Sequence, residues 1–254
     1  MQITFLGTGT SQGVPVIACP CKVCASKNPH DKRLRSSILV KDNEQQIVID
    51  TGPDFRQQML SNHILTLDAV LLTHAHKDHV GGLDDVRAFN YVQKRPMDVY
   101  ALPEVLKSIK KEYSYAFTKI KYPGVPKINL LPIKNNAFDV GHWKIIPIEA
   151  MHYELKVLGF RINDFCYITD ASYISDKEKE KLKGLKVLIV NALRIEHHYS
   201  HFNLEQALAL IKEVKAETAY LTHISHMMGL NAEVEKTLPA NVFLGYDGLR
   251  IKID

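Results

Sequence analysis

Short apolar runs that end in chemically capable polar residues recur along this chain. Gln2 to Leu6 runs into Gly7-Thr8-Gly9-Thr10, Ile47-Val48-Ile49 into Asp50-Thr51-Gly52, and Ala69-Val70-Leu71-Leu72 into a histidine cluster. Trp143 to Ala150 leads to His152, Phe165 to Thr169 leads to Asp170, Val187 to Val190 leads to Asn191, and Thr218 to Thr222 leads to His223. Each run predicts a strand with a polar residue at its C-terminal edge. Helical spacing lies between some of them. Asn203-Leu204-Glu205-Gln206 combines an N-cap with Gln at the third helical position, and Leu204, Ala207, Leu208, Ile211 and Val214 then keep one face. Pro103 opens a second helix with Val105, Leu106 and Ile109 together, and Val86, Phe89 and Val92 mark a third after Gly81-Gly82.

The pattern fits two sheets packed together and covered by helices. No Ser/Gly-rich linker or fixed-period repeat divides the chain, so residues 1–254 are expected to form one domain. Residues 90–136 hold Pro96, Pro103, Pro123, Pro126 and Pro132 together with Tyr113, Tyr115, Phe117 and Tyr122. That stretch is a candidate lid over a site, and an ordinary surface insertion fits it equally.

Composition narrows the class only modestly. Of 254 residues, 46% are hydrophobic and 24% charged, which is ordinary for a water-soluble fold with a real core. No apolar run approaches the ~20 residues needed to span a bilayer. Met1 to Gly7 lacks a basic region and a long apolar stretch, which predicts a cytoplasmic protein. The formal charge of +4 suits an anionic substrate without demanding nucleic acid. The run Asp176-Lys177-Glu178-Lys179-Glu180-Lys181 mixes signs and predicts a solvated helical face. Cys166 sits alone in Phe165-Cys166-Tyr167-Ile168 and is expected in the core.

The densest chemistry is His74-Ala75-His76-Lys77-Asp78-His79, directly after a predicted strand. His74 and His76 alternate by two, so their imidazoles can face one side, while Asp78 and His79 turn toward a second position. Two adjacent metals with hydrolytic chemistry are the expected outcome. His152 is the natural third nitrogen for the His74/His76 metal. Asp170 has two oxygens and can bridge both ions, and His223 completes the Asp78/His79 metal. Asp50 is a candidate to orient a ligating His or the attacking water, or else a turn-forming residue. Cys19-Pro20-Cys21-Lys22-Val23-Cys24 is a better metal clip than a disulfide framework. Arg33, Arg35, Ser36 and Ser37 are candidates to hold a phosphate or a ribose, or to form a solvated turn.

The His74-x-His76-x-Asp78-His79 loop, followed by His152, Asp170 and His223, resembles the metallo-β-lactamase superfamily, and the match covers nearly the whole chain. The resemblance implies a four-layer αββα sandwich. Gly7-Thr8-Gly9-Thr10-Ser11-Gln12-Gly13-Val14-Pro15 and the Cys cluster resemble the branch of PhnP-type cyclic phosphodiesterases, which is related to tRNA 3′-processing endonucleases and PQQ-biosynthesis proteins. It implies two catalytic divalent ions (Zn, Mn, Ni or Fe) and one structural Zn on Cys19, Cys21, Cys24 and a His. His226 is the preferred fourth ligand and His30 its competitor. The branch also implies that His201 protonates the leaving oxygen, with His197 and His198 expected to face solvent and His63 and His142 to lie on the surface.

The function so implied is hydrolysis of a small or cyclic phosphodiester by a hydroxide held between two metals. Alternatives are a thioester or lactone hydrolase on the same scaffold and a tRNA 3′-processing endonuclease. The endonuclease is disfavoured because no basic arm long enough to grip a tRNA is visible. A non-hydrolytic di-iron protein is disfavoured because His stands at 76 where such proteins place Glu. Expected partners are a small anionic phosphodiester and, by resemblance, a second copy in a homodimer. No membrane is expected.

Overall fold

The computed structural model describes residues 1–118 and 123–253. The strands are β1 (Gln2–Gly7), β2 (Ser37–Lys41), β3 (Gln46–Ile49), β4 (Ala69–Leu71), β5 (Met97–Ala101), β6 (Ile128–Pro132), β7 (Phe138–Val140), β8 (Trp143–His152), β9 (Leu155–Ile162), β10 (Phe165–Ile168), β11 (Val187–Asn191), β12 (Thr218–Thr222), β13 (Val242–Leu244) and β14 (Arg250–Lys252). Among the described residues they make two sheets, ordered β14-β1-β2-β3-β4-β5-β6 and β13-β12-β11-β10-β9-β8-β7. The helices are α1 (Phe55–Ser61), α2 (Lys77–Val80), α3 (Arg87–Gln93), α4 (Pro103–Glu112), α5 (Asp176–Glu180), α6 (Leu204–Val214) and α7 (Asn231–Val234).

Alternation along the central strands creates the layers. In β10 and β11, Phe165, Tyr167, Val187 and Ile189 join the core that also takes Ile3, Phe5, Ile38 and Val40 of the first sheet. Their neighbours Cys166, Ile168, Leu188 and Val190 point the other way, against Ala207, Leu210, Ile211 and Val214 of α6. Successive side chains of a strand leave on opposite faces, so a strand buried on both faces is apolar throughout. With α1, α3 and α4 contributing Phe55, Phe89 and Val105 to the first sheet's packing, the result is the expected αββα sandwich. Helix α6 begins at the expected cap: Asn203 Oδ1 accepts from Gln206 N at 2.9 Å and Gln206 Oε1 accepts from Asn203 N at 3.1 Å. Its buried face uses Leu210, whereas Leu208 is only partly buried. None of the helices among the described residues is long and apolar enough to cross a membrane.

Three local findings modify the sequence reading. The stretch 90–136 supplies β5, α4 and β6, so part of it is integral to the first sheet; residues 119–122, including Tyr122, lie outside the described residues. The charge run does form α5, yet Glu178 is buried, because Glu149 N (2.8 Å), Asn135 Nδ2 (3.0 Å) and Lys181 Nζ (2.8 Å) all donate to its carboxylate. Burial of a charge is tolerated when donors replace its water. Arg33, Ser36 and Ser37 are buried and used internally, so these three form neither a phosphate cradle nor a solvated turn, while Arg35 stays partly exposed beside Asp54. Arg33 donates to Thr8 Oγ1 (2.8 Å), Arg35 pairs with Asp54 (3.0 Å), Ser36 Oγ donates to the Gly9 carbonyl (2.9 Å) and Ser37 Oγ to the Asp50 carbonyl (2.8 Å). These contacts explain part of the glycine-rich opening: a Cβ on Gly9 would come within 2.9 Å of the Arg33 side chain and carbonyl.

Candidate metal centre

Parallel pairing brings the functional strand ends to one edge. β3 and β4 run parallel in one sheet, as do β10, β11 and β12 in the other. Their C-terminal ends deliver Asp50, His74, Asp170 and His223. In open sheets of this kind, the crevice beyond the carboxyl ends of the strands is where ligands bind. Asp50, Asp170 and His223 all have left-handed backbones (φ of 66°, 59° and 55°), so each strand turns sharply at the residue it presents. A non-glycine residue held there costs of order 1 kcal/mol or more, and such strain collects at functional sites.

The loop 74–79 is pinned from outside. Thr51 N donates to the His79 carbonyl at 2.8 Å and Tyr113 Oη donates to the Val80 carbonyl at 2.6 Å. Gly52 lies so close beneath it that a Cβ would overlap the Asp78 carbonyl oxygen. His79 Nε2 then stands 3.1 Å from Asp78 Oδ2 and 3.1 Å from Asp170 Oδ2, and His223 Nε2 stands 3.3 Å from Asp170 Oδ1. Asp78, His79, Asp170 and His223 offer one donor atom each within 4.8 Å of one another. Beside them the rings of His74 and His76 are 4.6 Å apart, those of His76 and His152 5.1 Å, and those of His74 and His152 5.8 Å.

The ring nitrogens facing away from the pocket are occupied. His79 Nδ1 is 2.7 Å from Asp50 Oδ2, His74 Nδ1 is 3.0 Å from Thr73 Oγ1, and His152 Nδ1 is 2.7 Å from the Ser200 carbonyl. Thr73 Oγ1 in turn donates to Asp50 Oδ2 at 2.8 Å, so this hydroxyl accepts the His74 Nδ1 proton and passes the relay to Asp50. Asp50 thus steadies two histidines at once. The inward Nε2 of His74 is buried without a hydrogen-bond partner, and that of His79 faces two carboxylate oxygens at 3.1 Å without the alignment of a hydrogen bond. Buried polar atoms are rarely left so, and a cation-ligating imidazole has this arrangement, with its outer N–H held by a carboxylate, hydroxyl or carbonyl.

The electrostatics agree. Burial works against a charged His79, yet Asp170, Asp50 and Asp78 outweigh it and hold its pKa well above the usual value. Asp170 is held well below the usual carboxylate range: burial opposes this, and His223 and His79 overcome it. Burial lowers His74 strongly and brings His223 to about 4. Three carboxylates therefore surround a His79 whose positive charge they favour, beside His74 and His223 that burial keeps neutral, and this mix of imidazole nitrogen and carboxylate oxygen is a donor set that divalent transition ions take.

His201 enters the same pocket. Its Nε2 is 3.0 Å from Asp170 Oδ1 and its Nδ1 is 2.9 Å from Ser200 Oγ. His198 is not simply solvent-facing: its Nδ1 is 3.2 Å from Ser200 Oγ and its ring stacks on Tyr199 at 4.6 Å. His197 is exposed, as are His63 and His142, with His142 Nε2 2.7 Å from Asp42.

A second cluster lies apart. His226 Nδ1 is 3.3 Å from Cys19 Sγ, 3.4 Å from Cys21 Sγ and 3.6 Å from Cys24 Sγ. A tetrahedral zinc with Zn–S of ~2.3 Å and Zn–N of ~2.0–2.1 Å sets sulfur and nitrogen about 3.5 Å apart. His30 instead stacks on Tyr246 at 3.9 Å. The Cys24 backbone N–H and His226 lower the Cys21 thiol to about 6, while burial raises Cys24 to about 11. Cys166 is buried in the outer core, where burial pushes its thiol up.

The family model of the β-lactamase superfamily domain matches residues 45–224, which include every histidine and carboxylate of the pocket. The chain belongs to the β-lactamase superfamily. Among curated members, an octanoyltransferase of Porphyromonas gingivalis is 43% identical over all of this chain and 52% of its own length. The coenzyme PQQ synthesis protein B of Methylorubrum extorquens is 33% identical over 43% of this chain and 40% of its own. The chain thus spans about half the length of the first relative and less of the second. Among solved structures, a diphosphatase of the PhnP family is 36% identical with a TM-score of 0.93, covering 100% of this chain and 98% of that one. Zinc-bound PqqB from Methylobacterium extorquens, 20% identical over the whole of both chains, has a TM-score of 0.81. The short form of human tRNase Z, also 20% identical over both whole chains, has 0.69. These last two share the superfamily fold.

Several supporting residues of this superfamily site went unread in the sequence: Thr73, Ser200, Thr169 (Oγ1 to Asp170 Oδ2, 2.6 Å) and Thr10 (Oγ1 to His223 Nε2, 3.1 Å). A signal was present. Thr73-His74, Thr169-Asp170, Ser200-His201 and Thr222-His223 each put a hydroxyl residue directly before a pocket residue.

Proposed function

We propose that this chain is a dinuclear metallohydrolase that cleaves small phosphodiesters. Asp170 carries the reading. Its Oδ2 lies 3.1 Å from His79 Nε2 and its Oδ1 3.3 Å from His223 Nε2, and it also offers an oxygen within 4.8 Å of a His152 nitrogen, so it would serve a cation on the Asp78, His79 and His223 side and one on the His152 side. A bound pair of divalent ions supplies Lewis acidity and a water acidified toward neutrality. Asp50 holds His79 and, through Thr73, His74 in the tautomer that offers Nε2 inward. Ser200 fixes the His152 ring with its carbonyl and the His201 ring with its hydroxyl. His201, at the mouth side of Asp170, delivers a proton to the departing oxygen. Cys19, Cys21, Cys24 and His226 would hold a structural zinc, which would tie the 19–24 loop to the segment just after His223. The whole-length likeness to a PhnP-family diphosphatase supports a phosphate ester or anhydride as substrate.

The test is hydrolysis of bis(p-nitrophenyl) phosphate by protein reconstituted with manganese, nickel or zinc, compared with His201→Ala. Turnover that requires metal is expected, and an inert protein carrying two ions per pocket overturns the proposal. One observation favours a second reading: the 43% identical relative is named an octanoyltransferase, so thioester or lactone hydrolysis belongs in the same panel. Faster thioester than phosphodiester turnover reverses the order.

A further inference from the structure

We propose that the end of α4 is a clasp on the metal loop, and that Tyr113 is a positioning residue which sets the place of Asp78 and His79 without touching either. The inference rests on the two-cation reading given above and concerns one of the two positions, that of Asp78, His79 and His223.

Asp78 and His79 ride on α2, which is a single turn of four residues. A helix that short does not hold itself together in water, so its place is fixed by what grips it. Three side chains at the end of α4 do so. Tyr113 Oη donates to the Val80 carbonyl at 2.6 Å, Glu112 pairs with Lys77, and Tyr115 Oη donates to Asp84. The contacts take hold of the first residue of α2, its last residue, and the tight turn Leu83–Val86 that follows. Val80 is fully buried. Its carbonyl ends a helix, where carbonyls have no partner further along the same helix, and the Tyr113 hydroxyl supplies one.

Tyr113 is itself firmly seated. Its side chain is buried in the core shared by Val105, Leu106 and Ile109 of α4 with Val80, Leu83 and Val86, and its N–H donates to the Ile109 carbonyl at 2.9 Å. The turn that carries Asp78 and His79 is thus held between two jaws at consecutive carbonyls. Thr51 N grips that of His79 at 2.8 Å from the end of β3, and Tyr113 grips that of Val80 from α4. The other half of the pocket is supported differently: His74 through Thr73 and Asp50, His152 by the Ser200 carbonyl. Asp50 decides which way the His79 ring turns, whereas Tyr113 decides where the backbone beneath it stands. Ligands must be held to within about 0.5 Å of their working positions, so loosening one jaw should be felt by one cation and not by the other.

The experiment is a calorimetric titration with manganese, whose preference for oxygen donors over thiolates keeps it off the cysteine cluster. Wild type, Tyr113→Phe and His223→Ala are compared. His223→Ala identifies the binding step that belongs to the Asp78, His79 and His223 position, since it removes a ligand from that one. Tyr113→Phe keeps the ring and loses only the hydroxyl. It is expected to weaken the same step about tenfold, the lower end of what losing an outer support costs a metal site, and to leave the other step unchanged. Melting temperatures of the metal-free proteins are recorded beside it, because a side chain that only stabilises the fold lowers them and moves both steps alike or neither. Glu112→Gln, which loosens the clasp from its exposed side, is expected to weaken the same step by less, and it carries the test should Tyr113→Phe fail to fold. Equal weakening of both steps, weakening of the step that His223→Ala spares, or no change in either overturns the clasp and leaves the two-cation reading standing. A wild type that takes up no manganese overturns both.

Discussion

Asp50 Oδ2 lies 2.7 Å from His79 Nδ1, with both side chains almost entirely out of solvent. The same carboxylate takes both the backbone N–H and the hydroxyl of Thr73, and so reaches His74. One acid therefore orients an imidazole in each half of the pocket. Its own pKa is raised, chiefly by burial, with His79 and Thr73 opposing.

Replacing Asp50 by Asn is expected to weaken cation binding in both halves of the pocket by about 10- to 100-fold, the usual effect of losing an outer partner of a ligating histidine. Metal titration followed by calorimetry measures it. Loss confined to one of two ions contradicts the shared role.

His201→Ala is expected to retain both pocket ions while kcat falls by roughly 10²–10⁴ for substrates with a poor leaving group. The fall is smaller for p-nitrophenolate, which leaves without a proton. Metal content together with a leaving-group series checks this. An equal loss across the series assigns His201 to the ligand set instead.

Cys21→Ser is expected to remove one zinc per chain, leave the remaining two metals, and lower the melting temperature, because a closed tetrahedral site contributes its binding energy to folding. Elemental analysis of the purified variant and thermal denaturation are the measurements. Three metals per chain in the variant rule the cluster out as a zinc site.

Asp247 gives a pH prediction away from the pocket. Burial raises its pKa to about 6, against the Leu34 N–H and the Thr8 hydroxyl, which lower it. The folded carboxyl keeps its proton to higher pH than the unfolded one, so its contribution is full below about pH 4 and is lost as pH rises through about 6. With the two pKa values roughly two pH units apart, the loss is at most about 3 kcal/mol. Asp247→Asn is expected to gain stability relative to wild type between pH 4 and 7.5, read by urea denaturation at each pH. A difference that stays constant across that range contradicts the raised pKa.

The strands that frame this site were legible because burial on both faces makes β4, β10 and β11 up to Val190 continuously apolar, while β12 shows the alternation of a half-buried strand. Each of these runs then stops abruptly at a polar residue. The capping pair Asn203 and Gln206 was equally local. What the sequence hid depends on contacts between distant segments: Arg33 looks like a surface cation until Thr8 and the 245–247 turn close over it. Glu178 looks solvated until Glu149 and Asn135 arrive. The hydroxyl relays were hidden for another reason, since Thr and Ser are common and carry no metal signature alone; only their recurrence directly before a pocket residue sets them apart. The left-handed turns at Asp50, Asp170 and His223 have no glycine to announce them.

The pocket is stitched across the two sheets. His74, His76, Asp78 and His79 come from the segment after β4 in one, and His152, Asp170 and His223 from strands of the other. Cations held across that seam would act as a rivet between two slabs. Stripping the ions should therefore unzip the interface at its catalytic edge first, so that loosening of the sandwich and loss of chemistry become a single event.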